Sequence, residues 1–96
     1  MKTAAAEGRI PMATFESVWR SIEACSGQVF HTKRGIPFSY DVRHGQVHLA
    51  NTNRILPRTD FARAHALMPL SGPGQLQDLQ GPSYIFGILT DRRIGA

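Results

Sequence analysis

His31, Asp41 and His48 are the residues of this sequence best suited to proton transfer or metal ligation. A carboxylate beside an imidazole raises the histidine's proton affinity and fixes its orientation, which is how a general base or a metal ligand is supported. Alternation along strands puts these three, with Ser39, on one solvent-facing surface, where a cross-strand Asp/His pair is an ordinary contact. The H-G-Q-V-H run of His44 and His48 matches a metal spacing only on a helix, whereas here it crosses a hairpin. The sequence holds no H-E-x-x-H, no zinc-finger cysteine set, no G-x-S-x-G and no phosphate-binding loop. No catalytic residue, metal ligand or cofactor is assigned, and a small metal-dependent hydrolase using His31, Asp41 and His48 ranks last among three readings.

A second set of residues suits a polyanion. Lys33 and Arg34 at one turn, Arg43 at the next, then Asn51, Asn53, Arg54 and Arg58 combine cations for phosphates with amides that read base edges. These seven are the candidate nucleic-acid-binding residues, with Asn51, Asn53 and Arg54 assigned to direct readout. The chain carries a net charge of +4, and the flanking segments are each neutral. Between residues 31 and 63 six basic residues face two acids, so this segment holds the whole excess. Solubility alone is the plainer account of so small a net charge. Phe38 and Tyr40 are claimed by the core, which leaves no obvious aromatic for stacking single strands, so duplex DNA or structured RNA is the expected ligand. Neither a helix-turn-helix nor an RNA-recognition signature is present. The alternative is a protein-protein interaction or regulatory module that uses the loop at residues 71–81 or an exposed strand edge.

The elements that position these residues follow from periodicity. Phe15, Val18, Trp19, Ile22 and Cys25 recur at helical spacing, with Thr14 suited to cap the start and Gly27 to end the helix. Trp19 reads as a core anchor and Cys25 as an inert small hydrophobe. From Gln28 to Ala50, three alternating runs are separated by two Gly-bearing segments, the pattern of a three-stranded antiparallel meander. Phe38, Tyr40 and Val42 share the core face. A four-residue loop, Arg43 to Gln46, sets Val42 opposite Val47, Asp41 opposite His48 and Tyr40 opposite Leu49. After a polar turn and an extended I-L-P, a short helix is expected, capped by Thr59, with Asp60 in its first turn, Phe61, Ala64 and Met68 inward and Pro69 as its stop. Residues 71–81 read as a mobile surface loop with an irregular turn. The terminal run from Gly81 to Ile94 is read as a helix, with an edge strand as the alternative.

The expected fold is therefore α+β: helix, three-stranded meander, helix, then a short terminal helix or strand. The 96 residues suit one domain over residues 13–96, preceded by a flexible lead-in over residues 1–12. A single cysteine excludes a disulfide framework, and no run approaches the roughly 20 apolar residues of a membrane span. A soluble, cytoplasmic protein without membrane association is expected.

Overall fold

The computed structural model describes residues 14–95, and the expected lead-in over residues 1–12 lies outside the described residues. Helix α1, Phe15–Ala24, begins where the Thr14 hydroxyl accepts a hydrogen bond from the Ser17 amide at 3.2 Å. It ends just before Gly27, whose φ of +87° lets the chain reverse toward the sheet. Strands β1 (Val29–His31), β2 (Pro37–Arg43), β3 (Gln46–Leu49) and β4 (Ile55–Pro57) follow, each antiparallel to its neighbour and in sequence order across the sheet. Helix α2 (Arg58–Ala66), a short 3₁₀ turn (Pro73–Leu76) and helix α3 (Pro82–Leu89) complete the chain.

The α+β class holds, but the sheet has four strands where three were expected. The fourth forms because Leu56, fully buried opposite Val47, extends the apolar face by one column. Pro57 fits because an edge strand tolerates a residue with no N–H. The β2–β3 connection is also tighter than expected. Arg43 pairs with Gln46, leaving a two-residue turn in which His44 and Gly45 both take positive φ, 54° and 71°. The register is the expected one: Val42 faces Val47, Asp41 faces His48 and Tyr40 faces Leu49.

All three helices lie on one side of the sheet. Phe30, Phe38, Tyr40, Val47, Leu49 and Leu56 meet Val18, Trp19 and Ile22 of α1, Phe61 and Ala64 of α2, and Ile85, Ile88 and Leu89 of α3 in one cluster. The Tyr40 hydroxyl donates to the Ile22 carbonyl at 2.7 Å, and burial pushes its phenol pKa up.

The start of α2 departs from expectation. The residue preceding it is Pro57, and no side chain caps it; Thr59 is exposed and Asp60 is buried. The Asp60 carboxylate accepts a hydrogen bond from the Gln80 amide at 2.9 Å, which anchors the 71–81 segment. Within that segment Leu76 and Leu79 are buried. The terminal run is a helix, and among the described residues no helix is long and apolar enough to cross a membrane.

Beyond α3, Arg93 clamps the chain end to β1. Its guanidinium donates to Gln28 Oε1 at 3.0 Å and to the Val29 carbonyl at 2.7 Å, is held by Asp91 at 2.9 Å, and lies 4.0 Å from the Phe30 ring centroid. Replacing Arg93 by alanine should remove about 1 kcal/mol of stability. In a domain of this size that is a fall of roughly 4–8 °C in thermal midpoint, readable by circular dichroism. Arg93→Lys should recover little, because an ammonium cannot form the fork. Arg93 in turn holds the Asp91 carboxyl below the usual carboxylate range. This contribution is present above the unfolded carboxylate pKa and is lost as pH falls through the lower folded value.

Candidate nucleic-acid interface

The face of the sheet opposite the helices is uncovered by any described element. Cross-strand pairing puts Val29 beside Ser39, His31 beside Pro37, Asp41 beside His48, Arg43 beside Gln46, and His48 beside Ile55 on this face. Its middle is charged: the Arg43 Nε lies 3.3 Å from the Asp41 carboxylate, both side chains 61% exposed. A shallow concavity of about 340 Å³ opens beside them, lined by Arg43, His48, Thr52, Asn53, Arg54 and Ile55. The loop that supplies three of these residues is fixed by its own hydrogen bonds. The Arg54 carbonyl accepts from the Leu49 amide at 3.1 Å, and the Arg54 amide donates to the Thr52 hydroxyl at 2.9 Å. Its backbone is thus tied into the ladder while its side chain stays exposed.

The expected binding residues divide four ways. Arg43, Asn53 and Arg54 come together, joined by His48. Lys33 and Arg34 sit on the β1–β2 turn. There the Lys33 ammonium donates to the Ser71 carbonyl at 3.0 Å and lies 6.0 Å from the Phe86 ring centroid, whereas Arg34 is exposed. Arg58 belongs to the helical layer: it donates to Glu16 at 2.6 Å, with its guanidinium 5.5 Å from the Phe15 centroid and 5.6 Å from that of Trp19. Its position and partners make it a structural contact. Asn51 is exposed but does not line the concavity. Among the described residues, the guanidinium groups of Arg34 and Arg54 form no ion pair or hydrogen bond.

His31, Asp41 and His48 share a face but not a site. The ladder sets Asp41 against His48, whereas His31 faces Pro37 further along β2, and the Asp41 carboxylate turns to Arg43. Among the described residues no three His, Cys, Asp or Glu side chains gather as a metal-binding group.

The sheet edges offer little to a partner strand. On β1 the Val29 carbonyl is taken by Arg93, and α3 presses on the His31 carbonyl at Gly87. The other edge, β4, is three residues long and ends in a proline, both of which discourage strand addition. Comparison with known proteins finds no matching family model, curated protein or solved structure.

Reading by strand parity missed a second feature, a cleft of about 360 Å³ between the β1–β2 turn and the start of α3. It is lined by Lys33, Arg34, Ile36, Pro73, Ser83 and Tyr84 among others. Ile36 gave a signal in the sequence: an isoleucine just after the turn glycine, which alternation does not send to the core.

Proposed function

We propose that this protein is a small binding module for nucleic acid that uses the uncovered sheet face. One observation carries the reading: Arg43, His48, Asn53 and Arg54, scattered over three elements, gather around one concavity on a surface that no described element covers. Guanidinium groups there suit phosphates, and the Asn53 amide suits a base edge. The Asp41–Arg43 pair is no obstacle, since an exposed ion pair contributes about 0–1 kcal/mol and a phosphate can replace the carboxylate. A single buried thiol, Cys25, suits a reducing, cytoplasmic setting.

Because Arg58 is committed to Glu16 and Lys33 already gives one of its three donors to the Ser71 carbonyl, fewer phosphates of a duplex are engaged than composition alone implies. With Arg34, Arg43 and Arg54 as the phosphate contacts, the logarithmic salt slope on duplex DNA should be about 2 to 3. Arg54→Ala should lower that slope by about 1, while Arg58→Ala leaves it unchanged in the folded protein. Asn53→Ala should change sequence preference more than salt dependence. Fluorescence anisotropy over a salt series checks all three. No binding to DNA or RNA at low salt removes the reading.

Protein recognition through the same face is the second reading, favoured by Val29 and Ile55, which remain 52% and 46% exposed on it. A partner held there would respond to Val29→Ser or Ile55→Ser and show no counterion slope.

A further inference from the structure

We propose that the cleft between the β1–β2 turn and the first turn of α3 holds one unpaired nucleotide, with its base on Tyr84 and Ile36 and its phosphate on Lys33 and Arg34. The inference rests on the nucleic-acid reading and narrows it to ligands with an unpaired base. Four observations meet in this cleft. Two cations line it and no carboxylate does. Its apolar wall keeps surface open to solvent, since Ile36 is 53% exposed and Tyr84, packed on the edge of the core, is only half-buried. The Tyr84 ring is held in place, 5.0 Å from the Phe38 ring centroid and edge-on to it at 79°. The cleft is also preformed. The turn is closed by the Gly35 amide donating to the Thr32 carbonyl at 2.8 Å and the Thr32 amide donating to the Ile36 carbonyl at 3.0 Å.

Lys33 is seated the same way. Its ammonium uses one donor on the Ser71 carbonyl, and it can lie there because residue 72 is glycine, where a Cβ would stand 3.1 Å from Nζ. The remaining donors are free for a phosphate.

Size and shape favour a single nucleotide. A cleft of about 360 Å³ falls in the range of small-ligand sites and is too small for a duplex, whose bases in any case hide their faces in the stack. In a meander the first and third connections leave the same end, so the β1–β2 turn and the β3–β4 loop point the same way, set apart by two strand spacings and by a stagger along β2, which pairs with β1 at Pro37–Ser39 and with β3 at Tyr40–Arg43. A strand leaving the cleft over Arg34 runs toward Arg54 and Asn53.

The test is anisotropy with a labelled oligothymidine of about ten nucleotides and a blunt DNA hairpin of equal phosphate count, its strands joined by a non-nucleotide linker so that it has no unpaired base. The variants are Tyr84→Leu, Tyr84→Phe and Arg34→Ala, each checked by thermal melting. The parent should prefer the single strand. Tyr84→Leu should weaken single-strand binding roughly 5- to 150-fold, the value of one stacked base, and leave hairpin binding unchanged. Tyr84→Phe should bind as the parent does, and Arg34→Ala should weaken both. Hairpin binding together with a Tyr84→Leu variant that loses nothing, or loses equally on both ligands, overturns the cleft while sparing the sheet face. A Tyr84→Phe loss as large as that of Tyr84→Leu overturns it too. Parent protein that binds neither ligand at low salt overturns the cleft and the nucleic-acid reading together.

Discussion

Trp19→Ala should be the most damaging single truncation in α1, lowering stability by about 3–5 kcal/mol. The side chain is 5% exposed and sits between α1 and α2. Its ring packs against Phe15 of the same helix at 6.1 Å between centroids, edge-on to Phe61 of α2 at 5.8 Å, and beneath the Arg58 guanidinium. Truncation leaves a cavity that neither the sheet nor α2 can close without breaking its own contacts, so transfer and cavity terms add. Against a typical total of about 5–15 kcal/mol, the loss removes a large share of what holds the domain folded. The thermal midpoint should fall by roughly 15 °C or more. Arg58 loses a stacking surface in the same step, which leaves its bond to Glu16 and the packing of Phe15 on Arg58 and His65 to join α1 to α2 on that side. Denaturant unfolding followed by circular dichroism gives the answer. A midpoint matching the parent's would mean that Trp19 is not the anchor of the helical layer.

The sheet register was legible because Phe38, Tyr40 and Val42 alternate with polar residues, and a slip of one position would put two aromatics in water. The stripe of α1 was legible for the same kind of reason. Strand β4 was not, since three residues ending in proline carry no alternation, and Leu56 acquires its meaning only from Val47 across the ladder. Asp60 was legible as a first-turn acid but not as a buried one, because its partner is the amide of Gln80, twenty residues on. The candidate interface divides along the same line. The concentration of basic residues between positions 31 and 63 could be read directly, but neighbours in sequence are not neighbours in space. Arg58 is claimed by Glu16, 42 residues earlier, and Lys33 by Ser71, 38 residues later. Tyr84 could not be placed beside the β1–β2 turn until α3 was docked on β1.

That docking sets the second large effect. Gly87 is buried in α3 against the sheet, and a Cβ there would collide with the His31 carbonyl oxygen and stand 3.3 Å from the Phe38 ring. In an open helix, replacing glycine by alanine should stabilise by about 0.5–1 kcal/mol, through lower backbone entropy in the unfolded chain. Here the steric term decides the sign. The atom in the way is backbone, in a strand paired to β2 and clamped at Val29 by Arg93, so it cannot yield as a side-chain tip would. Overpacking of this kind costs about 1–3 kcal/mol, and a rigid obstacle puts Gly87→Ala at the upper end, with a net loss of about 2 kcal/mol. Gly87→Val should be worse, since its branched side chain adds volume where alanine already collides. If α3 instead lifts away from β1 to admit the methyl group, Tyr84 moves with it. Single-strand affinity should then fall more than hairpin affinity even in protein that remains folded. Chemical denaturation measures the first effect and the two-ligand anisotropy the second. A Gly87→Ala protein more stable than the parent would show that α3 does not press on β1 at this point.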